Sequence, residues 1–283
     1  MTAPSWCWID GRVLPTAEAT ISVADHGLTV GDGIFETMKV VGEVPFALSR
    51  HLRRLHRSAD ALGLVLPLTD DDLGGACAAA IAGAVGAGAD VGRVRLTVTG
   101  GPGPAGSDRG DSPATVLAVT SPPSPWEEAT KVAIVPFTRN PGGAMAGVKS
   151  TSYAENVLAL ARAHDVGGSE AIFADVEGRL SEGTGSNVFV VRAGRLVTPA
   201  LSTGCLAGIT RELLLEVTDA DESDALTLDD LRHADEAFLT SSTRDVQAIA
   251  AVDDHTLPAP HPGPVTAAAA AAFSALEART LDP

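Results

Sequence analysis
The hydrophobic and polar positions of this chain follow two periods, and the changes from one to the other mark out its elements. Cys7-Trp8-Ile9 and Arg12-Val13-Leu14 flank Asp10-Gly11, turn residues that predict a hairpin. The second half of 30–41 alternates with a period of two, which predicts a strand. Gly42-Glu43 then turns it into Val44-Pro45-Phe46-Ala47. From 50 to 63 the period becomes helical, with Ser49 as the expected cap and Leu52, Leu55, Ala59 and Leu62 as the apolar stripe. At about 100° per residue, His51, Arg54 and Ser58 fall together along the border of that stripe, and Arg53 and Arg57 point the other way.

Residues 69–89 predict a second, Ala/Gly-rich helix opened by Asp70, Asp71 and Asp72. Arg93-Val94-Arg95-Leu96-Thr97-Val98-Thr99 alternates cleanly, so Arg93, Arg95, Thr97 and Thr99 share one strand face. A Gly/Pro-rich loop, 100–112, leads to a strand at 115–119. Ser121-Pro122-Pro123-Ser124-Pro125 stops helix and sheet alike. The expected organisation is a small N-terminal domain at 1–120, a linker at 121–127 and a large domain at 128–283. In the second half strands are predicted at 132–135, 171–174, 188–191, 195–198 and 236–240. Helices are predicted at 152–164, 211–217, 228–233 and 265–278. The fold class read from this mixture is α+β, without internal repeats.

Composition narrows the function. With 36 acidic against 20 basic residues the net charge is −16, a surface that repels phosphate backbones and anionic bilayers. Nucleic-acid and membrane partners are therefore not expected, and an anionic ligand needs local arginines and backbone amides. A hydrophobic content of 45% excludes global disorder. Cys7, Cys77 and Cys205 are too far apart for a CxxC metal or redox motif, and no metal site is expected. The start, Met1-Thr2-Ala3-Pro4-Ser5-Trp6, lacks the basic and apolar regions of a signal peptide, and no apolar run reaches membrane-spanning length. A cytoplasmic protein is expected.

The candidate chemistry centres on Lys149. Lysine occurs only at 39, 131 and 149, and the last follows a Gly/Pro-rich approach, 140–147, and precedes an apolar helix. Alone, such a lysine is either a solvated surface group or a desolvated amine able to attack a carbonyl. Three further stretches accompany it in order: Gly31-Asp32-Gly33-Ile34-Phe35-Glu36-Thr37, His51-Leu52-Arg53-Arg54-Leu55, and Ser181-Glu182-Gly183-Thr184-Gly185-Ser186-Asn187 with Gly208-Ile209-Thr210-Arg211. Over roughly residues 7–255 the set resembles the fold-type IV pyridoxal-phosphate enzymes. That group comprises branched-chain and D-amino acid aminotransferases, R-selective amine transaminases and aminodeoxychorismate lyases.

The resemblance implies a fold-type IV arrangement, with a small N-terminal α/β domain, a larger C-terminal domain and pyridoxal 5′-phosphate at their interface. Lys149 takes the position of the amine that holds the cofactor as an aldimine and then moves the substrate proton. Glu182 takes that of the carboxylate that keeps the pyridine nitrogen protonated. Arg54 matches the arginine fork for the phosphate. Gly208, Ile209 and Thr210 match its helix N-terminus, and Ser241 and Ser242 its second loop. Tyr153 is either a neighbour of the cofactor's phenolic oxygen or a packing residue at a helix start. A homodimer acting on small amino acids, amines and 2-oxo acids is implied.

Which reaction follows is divided. Thr37 and Arg139-Asn140-Pro141 resemble the lyases, which release pyruvate and 4-aminobenzoate. Arg95, Ser150-Thr151-Ser152-Tyr153 and Glu182-Gly-x-Gly-x-Asn resemble the transaminases. The loop after the Arg95 strand lacks the arginine and histidine of D-amino acid enzymes, and Phe35 replaces their usual tyrosine. Arg95, Arg109 and Arg244 are then the cations available for a substrate carboxylate, with Phe35, Thr37 and Arg95 the expected substrate contacts. The favoured reading is a transaminase of broad or D-type specificity. The lyase comes next, then a branched-chain L-amino acid aminotransferase. A fold that has lost catalysis is disfavoured by the joint presence of Lys149, Glu182 and Arg54.

Overall fold
The Asp10-Gly11 turn joins β1 (Trp6–Ile9) to β2 (Arg12–Pro15) with both turn residues at positive φ, 49° and 73°, as a two-residue hairpin favours. The computed structural model describes residues 5–283, so the first four residues of the expected leaderless start lie outside the described residues. Two units share the chain. One carries it as far as Ser124, with Val148–Tyr153 and Asp282; the other holds Pro125–Gly147, Ala154–Leu281 and Pro283.

In the first unit the hairpin is followed by α1 (His26–Thr29), β3 (Gly33–Val41) and β4 (Val44–Pro45). Then come α2 (Leu48–Leu62), α3 (Asp70–Gly86), β5 (Arg93–Thr99) and β6 (Thr115–Ser121). The strands form one antiparallel sheet in the order β2-β1-β6-β5-β3-β4. Ile34 and Met38 of β3, Leu52 and Leu55 of α2, Leu73 and Ile81 of α3, and Leu96 of β5 bury one core. The helix face read from the sequence is the buried one: His51, Arg54 and Ser58 are inside, while Arg53 and Arg57 are exposed.

Ser49 does not cap α2. The helix begins two residues earlier than expected, Ala47 takes the cap position in the left-handed region (φ 57°), and Ser49 is already in the first turn. A capping residue needs a non-helical backbone. Ser49 bonds instead to Asp282, its N–H donating to Oδ1 at 2.9 Å. β6 runs on to Ser121, which pairs with Arg93, so the proline-rich break starts one residue later than expected.

The second unit starts with β7 (Ala129–Arg139), α4 (Ala154–Asp165) and β8 (Glu170–Asp175). β9 (Leu180–Gly183), β10 (Asn187–Arg192), β11 (Arg195–Pro199), α5 (Ile209–Val217) and β12 (Asp221–Ser223) follow. α6 (Leu228–Arg232), β13 (Glu236–Ser241), β14 (Asp245–Val252), β15 (His255–Thr256) and α7 (Pro264–Arg279) complete it. Its sheet has the order β12-β11-β10-β13-β14-β7-β8-β9, with β15 on β14. Val132, Ile172, Leu180, Val188, Leu239 and Ile249 form a core on one face. Ala133, Val135 and Phe173 meet Ala159 and Ala163 of α4 on the other.

β7 is longer than predicted because parallel partners, β14 and β8, take up its backbone on both sides. β9 and β14 were not foreseen. β9 is four residues long and ends at a glycine; β14 reads as a mostly apolar run with no alternation, as strands buried on both faces do. α4 starts at Ala154, two residues late, since Val148–Tyr153 is engaged in the first unit.

Candidate functional site
Lys149 is laid along the edge of β3. Phe35 N–H donates to its carbonyl at 3.0 Å, Thr151 N–H donates to the Gly33 carbonyl at 2.8 Å, and its own N–H reaches Ser58 Oγ at 3.3 Å. Glycine is needed on that edge: a Cβ on Gly33 would stand 2.9 Å from the Val98 carbonyl oxygen, and Gly31 turns at φ 70°. Thr151 and Ser152 hydroxyls both donate to the Gly31 carbonyl. The lysine segment's backbone is therefore set by a sheet edge and by the Gly31-Asp32-Gly33 stretch at once.

Phe35 brings together Arg95, an expected substrate contact, with Lys149 and Tyr153, expected at the cofactor. Lys149 Nζ lies 4.4 Å from its ring centroid, the Arg95 guanidinium 3.5 Å, and the Tyr153 ring meets it edge-on at 5.4 Å. Thr37, half-buried, sits opposite Arg95 in the β3–β5 register. Arg95 Nε donates to Thr97 Oγ1 at 3.3 Å. Although it opens to solvent, desolvation by its crowded surroundings lowers its pKa, with Tyr153 opposing. Among the described residues it has no carboxylate partner.

The other two cations are committed. Arg109 grips Asp32 through Nε and Nη2, each at 2.6 Å, and donates to the Gly63 carbonyl at 2.9 Å. Arg244 pairs with Glu170 at 2.9 Å. Arg54 differs from expectation too: the fork assigned to a phosphate is turned on Glu36, Nε to Oε1 at 2.8 Å and Nη2 to Oε2 at 2.6 Å. An anion held by Arg54 would have to share it with that carboxylate. His51 Nδ1 meets Glu36 Oε2 at 2.6 Å. Burial alone would raise the Glu36 pKa, but the charge and hydrogen bonds of Arg54, with His51, bring it down to about 2. Burial lowers the His51 pKa, against the pull of Glu36.

In the second unit Glu182 is oriented from two sides: Arg139 Nε donates to Oε1 at 3.0 Å and Leu206 N–H to Oε2 at 2.9 Å. Arg139 also reaches Glu155 Oε2 (2.6 Å) and Asn156 Oδ1 (3.0 Å) and stacks on Phe173 at 3.8 Å. Ile209 and Thr210 lie in the first turn of α5, which starts two residues before the expected Arg211. Gly208 occupies the cap position, where no side chain caps the helix and a Cβ would collide with Asn187 Oδ1. The first amides of such a helix, together with its dipole, suit an anion. Asn187 pairs across the sheet with Thr240, whose Oγ1 is buried without a hydrogen-bond partner among the described residues. Ser241 Oγ accepts the Arg244 N–H at 3.2 Å, so this hydroxyl shapes its own turn.

Glu36, His51 and Arg139 were quoted in motifs but given no role from the sequence. Glu36 had a signal, a carboxylate at an inward position between Ile34 and Met38. Arg139 had none, since its partners come from three separate segments.

A family model described as "Amino-transferase class IV" matches residues 33–252. The chain is 32% identical over 267 residues to a putative branched-chain-amino-acid aminotransferase of Methanocaldococcus jannaschii, with 92% of each chain covered. It is 29% identical over 268 residues to a D-alanine aminotransferase of Bacillus licheniformis, covering 91% of this chain and 92% of the relative. A branched-chain aminotransferase crystal structure from Thermoproteus uzoniensis, with norvaline, matches with a TM-score of 0.84 at 28% identity. That match covers 96% of this chain and 94% of the other.

Proposed function
The chain belongs to the class IV aminotransferase family, and from that premise we propose that it is a transaminase of broad or D-type specificity. Enzymes of this family work with pyridoxal 5′-phosphate. The observation that carries the reading is Arg95, a cation without a carboxylate partner among the described residues, stacked on the same Phe35 ring as Lys149 Nζ. Arg109 and Arg244 are held by Asp32 and Glu170, which leaves Arg95 as the cation of the three to take a substrate carboxylate. The loop segment 100–106 contributes only Gly, Pro and Ala, which supports tolerance for varied side chains.

Taken unit by unit, the residue types suit the cofactor's groups. An amine stands on a fixed strand edge, a carboxylate is oriented by two donors, and the uncapped N-terminus of α5 lies by the unpartnered Thr240 hydroxyl across Asn187. When bound, pyridoxal 5′-phosphate supplies a carbonyl that takes up the amino group and a ring that spreads the charge left at Cα. Lys149 Nζ would be the amine that holds the cofactor's carbonyl, and the same amine would serve as the base for the proton at the substrate Cα. Glu182 holds a proton on the ring nitrogen, since a carboxylate beside it favours the charged form. Backbone amides of Ile209 and Thr210 take the phosphate, and Ser242 contributes from the second turn. Arg95 orients the substrate by its carboxylate, and Phe35 shields Lys149 from water.

The test supplies the cofactor-loaded protein separately with D-amino acids, L-branched amino acids, (R)-1-phenylethylamine and aminodeoxychorismate, each with a 2-oxo acid acceptor. Transfer of the amino group from D-amino acids, alone or among several donors, is the expected result. Transfer confined to L-branched donors would instead assign the branched-chain reaction. Pyruvate and 4-aminobenzoate formed from aminodeoxychorismate, with no transfer from any donor, would overturn transamination in favour of the lyase.

A further inference from the structure
Glu170 opens β8 and is 2% exposed, an expensive place for a carboxylate unless its position matters. Its two oxygens face different turns of the second unit. Oε1 accepts the Gly185 N–H at 3.2 Å and the Thr184 hydroxyl, both in the turn that begins two residues after Glu182. Oε2 receives Arg244 Nη2 at 2.9 Å. Arg244 in turn fixes the β13–β14 turn, where its N–H donates to Ser241 Oγ at 3.2 Å. Its guanidinium also reaches the Ser169 carbonyl (3.2 Å) and Gln247 Oε1 (2.5 Å) and stacks on Trp126 at 3.8 Å. Burial pushes the Glu170 pKa up and the Arg244 charge opposes it. The Glu182 turn has little slack around this carboxylate, since a Cβ on Gly183 would stand 3.1 Å from Glu170 Cγ.

We propose that Glu170 is a positioning residue which, through Arg244, sets the span between the Glu182 turn and the Ser241–Arg244 turn. A ligand that carries both a ring nitrogen and a phosphate is then held at both ends. Glu170 touches neither end itself. The inference rests on the roles of Glu182 and Ser242 given under the proposed function. Its physical content is that a fixed span raises the effective concentration of the second contact once the first is made. A ligand with only one of the two groups gains nothing from it.

The experiment uses the full chain stripped of cofactor, as wild type, Glu170→Gln and Arg244→Lys. Dissociation constants are measured for pyridoxal 5′-phosphate, for pyridoxal and for inorganic phosphate, with thermal unfolding of each stripped protein alongside. Glu170→Gln is expected to weaken pyridoxal 5′-phosphate about tenfold or more, while the two single-ended ligands change by less than about twofold. Equal weakening of all three, as loosened packing would cause, overturns the inference, and so does unchanged binding of pyridoxal 5′-phosphate. If Glu170→Gln does not fold, Arg244→Lys decides by the same comparison, because it keeps the charge and loses the fork. A wild-type protein that bound pyridoxal as tightly as its phosphate would overturn the proposed cofactor contacts themselves, and the inference with them.

Discussion
Arg54 and Glu36 form a buried two-point ion pair, Nε to Oε1 at 2.8 Å and Nη2 to Oε2 at 2.6 Å, with His51 Nδ1 on the same Oε2 at 2.6 Å. The carboxylate comes from β3 and both partners from α2, so the pair pins the helix to the strand along which Lys149 is laid. Replacing Glu36 by Gln leaves a guanidinium and an imidazole facing no charge in a dry core. Breaking one side of such a pair costs about 3–5 kcal/mol. Thermal melts of Glu36→Gln should show a loss of that order at neutral pH. Because the folded pKa of Glu36 is lowered from 4.5 to about 2, its stabilisation is complete above pH 4.5 and fades as pH falls through about 2. The wild-type and variant melting temperatures should therefore converge over that acidic interval; a constant gap would remove Glu36 from the account.

Arg95→Ala should weaken carboxylated substrates selectively. A charge-assisted hydrogen bond contributes about 1.5–3 kcal/mol, roughly ten- to a hundredfold in KM. Simple amines, which present no carboxylate, should keep their KM. Steady-state kinetics on an amino acid and on the amine lacking its carboxylate make the comparison, and equal effects on both would assign Arg95 to packing against Phe35.

Lys149→Ala removes the amine but none of the backbone bonds that lay this segment on β3. The variant should melt like wild type and lose turnover. Borohydride should attach the cofactor to wild-type protein at Lys149, read by mass spectrometry of the peptide. Full turnover in a colourless Lys149→Ala would sink the assignment.

Glu182→Gln removes the charge and leaves one acceptor oxygen for the two donors, Arg139 Nε and Leu206 N–H, which now use Oε1 and Oε2 separately. Turnover should fall by about one to two decades, the equivalent of one charge-assisted bond expressed in the barrier. Melting should fall only by the order of one lost hydrogen bond, about 1 kcal/mol. If kcat stays at the wild-type value, the ring nitrogen has another partner.

Local pattern alone settles a good part of this protein. The α2 stripe, with His51, Arg54 and Ser58 inward and Arg53 and Arg57 outward, follows from a period of 3.6, and the Arg95–Thr97 face follows from a period of two. The Asp10-Gly11 hairpin and the break after Ser121 follow from turn chemistry. Each is decided within a few residues, which is why much of the order of elements could be read in advance, whereas the Lys149, Glu182 and Gly208–Arg211 segments stood out only through their joint resemblance to the fold-type IV enzymes. What a charged side chain pairs with is decided otherwise, by strands and helices distant in sequence. Arg54 meets Glu36 across 18 residues, Arg109 meets Asp32 across 77 and Arg244 reaches Ser169 across 75. The same holds for β14, which its partners β13 and β7 on either side make a strand, and for Lys149, whose carbonyl is fixed by an amide of β3. The sequence by itself determined the periodic faces and turns, and its resemblance to the fold-type IV enzymes nominated the residues for the chemistry. Only the tertiary structure decided which cations are already neutralised, because burial rewards a charge for the partner that folding brings to it and not for its neighbours in the chain.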